Sequence, residues 1–182
     1  PTETLCEEAC VRETAESSPV KIGLLQRHAT DDAIFSKQQF YKRQSDSGKK
    51  IAVIGAGPAG LACAHRLSMY GHTVSVYDAR EKPGGLNEYG IAAYKTVDNF
   101  AQDELEFIKK IGGIQFYQNK RLGRDIAIEK LLIDYDSIFL GVGLEDTNNL
   151  SFLEEKIPGV EDAVDYISLL RHKLNSYQQA NL

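Results

Sequence analysis

The sequence predicts an α/β fold with a short helical arm in front of it. A continuous apolar, β-rich run from Ile51 to Ile54 ends in glycine, an Ala/Leu-rich helix follows to about Tyr70, and Thr73 to Tyr77 reads as a second strand. Strand, helix, strand in so short a span is a βαβ unit. Beyond it, apolar residues at helical spacing and further β-rich runs keep alternating.

Composition bounds what such a chain can do. Its 182 residues carry 21 Lys+Arg against 26 Asp+Glu, a formal net charge of −5, which suits one globular domain with an appendage. Positive charge is not clustered, so neither nucleic acid nor acidic lipid is expected as a partner. The longest largely apolar run, Ile51 to Ala64, is broken by glycines and a proline and is too short to span a bilayer, so no membrane partner is expected. No Lys/Arg-led apolar stretch opens the chain as a signal peptide would. Three cysteines, Cys6, Cys10 and Cys63, are too few and too uneven for a secreted disulfide framework, which points to a reducing, cytoplasmic setting. The chain opens at Pro1 and its sole methionine is Met69, so it reads as a piece of a longer protein.

Taken in order, Leu5 to Phe40 holds helix-compatible segments such as Val20 to Ala29, with too few apolar residues to bury a core alone. The polar stretch from Tyr41 to Lys50, YKRQSDSGKK, has no apolar periodicity and reads as a linker. After the βαβ unit, Val97, Phe100, Ala101, Leu105, Ile108 and Ile111 recur at helical spacing, and Gly112-Gly113 is a natural stop. Ile114 to Tyr117 and Ser137 to Leu140 are further strands; past Pro158-Gly159, the residues Val164, Ile167, Leu170 and Leu174 mark a terminal helix. The expected organisation is an arm over 1–45, a Rossmann-like domain over 46–160, incomplete as it stands, and a helix over 161–182.

The stretch IAVIGAGPAGLACA sets Gly55, Gly57 and Gly60 in GxGxxG spacing between strand and helix. Gly55 permits the tight turn, Gly57 lets backbone approach a pyrophosphate, and Gly60 lets the helix pack closely on the strand. Asp78 closes the second strand 23 positions after Gly55, where an acidic side chain accepts hydrogen bonds from an adenosine ribose. A glycine-rich turn with an incidental aspartate would not place all these elements in register, so dinucleotide binding is expected.

The residues from Asp78 onward, DAREKPGGLNEYGI, add a Gly84-Gly85 pair that a plain NAD domain does not require. With GAGPAGL ahead of it, this segment resembles the flavin-binding half of the family that contains the glutamate synthase small subunit and the amino-terminal part of dihydropyrimidine dehydrogenase. The resemblance implies an FAD-binding domain, with Gly55, Ala56, Gly57, Pro58, Ala59 and Gly60 at the pyrophosphate. It implies too that Asp78, Ala79, Arg80, Lys82, Gly84, Gly85 and Leu86 line the adenosine and flavin side. Lys95 stands where the family usually has arginine, and Ala92 and Val97 stand near positions where it has prolines. Leu122 falls where a backbone contact to adenine is usual, or is an ordinary strand residue; Gly143, in Gly141-Val142-Gly143, matches the small-residue turn that passes close to the cofactor.

Cys6 and Cys10 alone cannot hold a metal centre that needs four ligands. The same resemblance implies that they are ligands of 4Fe–4S clusters, within a CPTxxLCxxxC run of which this chain begins at the proline, and that Gln26, sixteen positions past Cys10, is a further ligand. No complete cluster is expected from these residues alone. Cys63 reads as a small core residue, and the four histidines show no zinc spacing. The implied function is that of part of an NAD(P)H-dependent oxidoreductase, with FAD and 4Fe–4S clusters, feeding a downstream catalytic subunit or domain in a reaction of the pyrimidine-reduction type. The alternatives are an electron-input protein of the glutamate synthase small-subunit type and a non-catalytic dinucleotide-binding docking module. No catalytic side chain is assigned, because the flavin carries the chemistry; the NAD(P)H site is expected on a further domain, and FAD retention by this stretch alone is expected to be weak.

Overall fold

The computed structural model describes residues 5–144 and 158–179, with side chains in the last helix described up to His172. They form two bodies, Pro1–Phe40 and Tyr41–Leu182. The first holds three helices, α1 (Leu5–Glu8), α2 (Val11–Glu16) and α3 (Ile22–Phe35), with no fully buried side chain. Leu24, Leu25 and Phe35 are exposed, as expected of a segment too poor in apolar residues for a core of its own.

In the second body, β1 (Lys50–Ile54), β2 (Thr73–Tyr77), β3 (Ile114–Tyr117) and β4 (Ser137–Leu140) form one sheet in the order β3-β2-β1-β4. All three pairings are parallel, with Val53 opposite Val76 and Phe139, and Val74 opposite Ile114. The mixed α/β architecture and parallel sheet are those expected from the sequence. Because side chains alternate along a strand, Val53, Val74, Val76, Ile114 and Phe116 share one face. That face packs against α4 (Pro58–Met69) and α6 (Phe100–Lys109) through Leu61, Ala64 and Leu105. The other face carries Ala52 and Ile54, covered by Leu131 of α7 (Ile128–Asp134), with Tyr77, Leu122, Ile126 and Tyr135 around them.

Three local features depart from the expected pattern. The amphipathic helix begins at Phe100 rather than near Val97, because Asp98 and Asn99 both take positive φ (55° and 61°) and break the register. Val97 is exposed, and Thr96 is buried in its place. Two short helices, α5 (Leu86–Tyr89) and α7, occupy stretches without a periodic signal. The last helix, α8, spans Ala163–Gln179; Val164 and Ile167 are half-buried, and the Leu174 side chain lies outside the described residues.

The polar segment after Phe40 is docked on the turn between α4 and β2. Gln44 N–H donates to Met69 O and Ser47 N–H to Gly71 O, while the Arg43 guanidinium donates to Gly71 O at 2.9 Å and His72 O at 3.2 Å. Gly71 is required here: its φ is +84°, and a Cβ would lie 2.0 Å from Ser45 O. Cys63 packs, partly buried, at the edge of the core, and burial pushes its thiol pKa up.

Candidate functional site

The site is assembled at the carboxyl ends of β1 and β2, the position where parallel α/β sheets bind ligands. Gly55, just past β1, has φ +102°, and a Cβ there would lie 2.2 Å from the Gly141 carbonyl oxygen. A Cβ on Gly60 would lie 1.8 Å from Gly55 O. Both glycines are therefore demanded by backbone packing alone. Gly57 is different: its φ of −78° suits any residue, and a Cβ would meet nothing nearer than Gly85 Cα at 3.8 Å. Gly57 stands at the start of α4, where first-turn N–H groups lack intrahelical acceptors and Pro58 takes the first helical position.

Asp78 follows β2. Its Oδ2 accepts a hydrogen bond from Ala56 N–H at 2.6 Å and its Oδ1 one from Arg80 N–H at 2.8 Å. The acid thus braces the glycine loop, a role that motif spacing did not disclose, and each oxygen still has a lone pair for a hydroxyl donor. Gly84 and Gly85 complete the junction. Gly84 N–H donates to Ala56 O at 2.8 Å, and Gly85, with φ +56°, lies so near that a Cβ on it would fall 2.6 Å from Gly57 Cα. Asp78 and the Gly84-Gly85 pair, both more than twenty residues on, therefore meet the loop around Ala56 and Gly57.

Other sequence-derived candidates are placed as follows. Ala79 is half-buried, and the Arg80 guanidinium lies 4.5 Å from the centre of the Tyr89 ring. Lys82 N–H donates to the Tyr89 hydroxyl at 2.9 Å. Burial foremost raises the Tyr89 pKa. Leu86 is exposed on α5, and Lys95 lies in an exposed turn closed by its N–H to Ala92 O. Leu122 is half-buried in a bridge with Ile126, and its segment is drawn to the acid by Lys120 N–H donating to Asp78 O and Asn119 N–H to Arg80 O. At the end of β4 it is Gly141 that approaches the loop: its N–H donates to Ile54 O, and a Cβ on it would lie 3.4 Å from Gly60 N. Gly143 is exposed, with open space around it.

Sequence reasoning missed a polar cluster behind this junction, formed by Glu88, Gln102 and His172. Glu88 is 4% exposed and accepts from Gln102 Nε2 at 2.9 Å. Its partners come from positions 14 and 84 residues away, a pairing no local pattern reveals.

In the first body, Cys6 lies on α1, Cys10 caps α2 and Gln26 lies on α3; Cys6 and Gln26 are exposed and Cys10 is half-exposed. The Cys10 thiol is held below its ordinary pKa, first by the Val20 backbone and then by that of Arg12. Among the described residues, no group of three or more His, Cys, Asp or Glu side chains could hold a metal ion. Two thiols and one amide are short of the four ligands an iron–sulfur cluster needs. No described helix is long and apolar enough to cross a membrane.

Comparison with known proteins agrees with this geometry. Residues 53–98 match the family model described as an NAD(P)-binding Rossmann-like domain. The chain is 36% identical over 168 residues to the small chain of the NADPH glutamate synthase of Escherichia coli (strain K12), covering 92% of this chain and 35% of that relative. It is 32% identical over 171 residues to PreT, a subunit of the NAD-dependent dihydropyrimidine dehydrogenase of Salmonella typhimurium (strain LT2), covering 94% of this chain and 41% of PreT. The chain thus spans about two-fifths or less of these relatives. Among solved structures, FprA of Mycobacterium tuberculosis in complex with NADPH shares the fold, with a TM-score of 0.58 at 22% identity, covering 66% of this chain and 28% of FprA. The similarity suggested by GAGPAGL and KPGGL thus extends over 92–94% of this chain, and residues 53–98 match a Rossmann-like domain.

Proposed function

We propose that this chain forms the flavin-dinucleotide cradle of an NAD(P)H-dependent oxidoreductase that delivers electrons to a partner reaction, of the pyrimidine-reduction type or else of the glutamate synthase type. One observation carries the reading: Gly84-Gly85 is built against the glycine loop, with Gly85 in van der Waals contact range of Gly57. A nicotinamide dinucleotide domain needs the first glycine motif and the acid; the second glycine pair is an added wall. The amides at the start of α4 are the groups that would take a pyrophosphate, and the remaining lone pairs of Asp78 those that would take ribose hydroxyls.

Bound there, FAD would accept hydride from a nicotinamide and release single electrons. The chain's own residues hold and orient. The first-turn amides of α4 face the pyrophosphate, Asp78 fixes both the loop and the ribose, and Lys82 and Lys95 supply positive charge on the segment proposed for the flavin side. Cys6, Cys10 and Gln26 belong to the proposal as a partial ligand set; a four-iron cluster would take ligands beyond the residues described.

A second reading is favoured by the family match over residues 53–98, namely that the loop binds NAD(P) itself. The visible spectrum and NAD(P)H oxidation of the protein carrying this chain distinguish the two. A yellow protein that oxidises NAD(P)H, and loses colour on Gly57→Ala, is expected; a colourless protein binding only nicotinamide dinucleotides would sink the flavin assignment.

A further inference from the structure

The helix that closes the described chain lies outside the βαβ unit, yet two of its side chains reach the segment between Asp78 and Thr96. Arg171 Nη1 donates to Ile91 O at 2.6 Å and to the hydroxyl of Thr96. Thr96 is 4% exposed, so this contact is shielded from water. The next residue, His172, sets its ring 4.7 Å from the Tyr89 ring, with its Nε2 3.9 Å from Glu88 Oε1. At that distance the pair is not hydrogen-bonded, and His172 Nε2 is buried without a hydrogen-bond partner.

The other ends of these contacts lead back to the dinucleotide junction. Tyr89 supports the Arg80 guanidinium and accepts from Lys82 N–H. Glu88 faces Lys82 Nζ at 3.8 Å, and Gln102 of α6 donates both to Glu88 and to Pro83 O, one residue before the glycine pair. A Cβ on Gly84 would lie 2.9 Å from Glu88 Cβ, so the glycine pair rests on the residue that His172 approaches. The segment itself has little regular structure, only the four residues of α5 and a set of turns. A short, turn-rich segment does not hold one conformation unless surrounding groups fix it, because ordering each residue costs backbone entropy.

We propose that Arg171 and His172 are positioning residues, through which α8 acts as a strut that fixes residues 82–96 against the glycine loop and so sets affinity for the flavin end of the dinucleotide without touching it. The inference rests on the flavin reading above for its ligand, and on the contacts alone for the strut. On that reading ADP would engage the glycine loop and Asp78, and FAD would need the wall of residues 82–96 as well. Loss of the strut therefore weakens FAD and spares ADP. If the competent arrangement falls to about a tenth of the population, FAD affinity falls about tenfold.

The test uses Arg171→Met, with Arg171→Lys as the conservative variant and His172→Phe as a second variant that keeps a ring beside Tyr89. Amide hydrogen exchange is followed at Lys95 and Thr96, whose N–H groups bond to Ala92 O, against Val53 and Val74 in the sheet, and affinities for FAD and ADP are measured by titration. Expected are faster exchange at Lys95 and Thr96 with sheet exchange unchanged, FAD weakened about tenfold with ADP unchanged, and partial recovery in Arg171→Lys. Unchanged exchange over residues 91–96, or equal weakening of FAD and ADP, would overturn the proposal; should Arg171→Met not fold, the same criteria apply to the other two variants. A wild-type chain that binds ADP but not FAD would refute the flavin reading instead, and the strut would still stand or fall on exchange.

Discussion

Gly55 and Gly57 lie two positions apart and answer to different constraints. Gly55→Ala forces a Cβ to 2.2 Å from a carbonyl oxygen at φ +102°, so a loss of about 3 kcal/mol or more is expected in denaturant unfolding. Gly57→Ala meets only ordinary contact. Its stability should stay within about 1 kcal/mol of wild type, while affinity for any pyrophosphate dinucleotide drops at least tenfold by titration calorimetry. Equal damage to stability from both substitutions would refute the distinction. His172 makes a pH prediction. Burial foremost lowers its pKa below 6.5, against the opposing pull of Glu88, with Lys82 and Arg171 adding to the lowering and Glu81 opposing it. The unfolded chain therefore takes up the proton first as pH falls, and stability drops from about pH 6.5 downward toward the depressed folded value. Melting temperatures of wild type and His172→Phe, compared from pH 7.5 to 5, should diverge with wild type losing more; parallel profiles would contradict this. The packing roles of Gly55 and Gly60 and the position of Asp78 were legible because the motif ties residue type to backbone geometry. The bond from Asp78 to Ala56 N–H was not, since spacing says where an acid stands and nothing of what it accepts.

At the scale of elements, the strands were legible because each is a short apolar or β-branched run bounded by turn residues. Helix α4 was legible from its Ala/Leu content and α6 from apolar spacing, although the start of α6 was masked by the positive φ values of Asp98 and Asn99. Helices α5 and α7 were not, having only four and seven residues. α7 nonetheless closes the part of the second sheet face around Ala52 and Ile54 through Leu131, which is 2% exposed. Leu131→Ala should cost about 2–4 kcal/mol in unfolding free energy, and a loss under about 1 kcal/mol would show that α7 does not close this face. The segment 41–47, which looked like a spacer for want of periodicity, is fixed by main-chain bonds and by Arg43, interactions that leave no apolar signature. Arg43→Met should destabilise the domain by about 1–3 kcal/mol through loss of two charged hydrogen bonds, read as a lower melting temperature.

For the whole molecule, the alternation of helix and strand disclosed the class, but the order β3-β2-β1-β4 has no signature in local pattern. That order matters, because the chain crosses from one side of β1 to the other between β3 and β4, and ligands in such sheets bind where the order reverses. Gly55 and Gly141 meet at that reversal. Fold alone does not choose the ligand; the choice between a flavin and a nicotinamide dinucleotide turns on the wall made by Gly84 and Gly85. Parallel titrations of the chain with FAD, NADPH and ADP, repeated on Gly57→Ala, test it most directly. FAD is expected to bind more tightly than NADPH, and the substitution to weaken FAD at least tenfold with the fold intact. Tighter binding of NADPH, or FAD affinity untouched by Gly57→Ala, would contradict it.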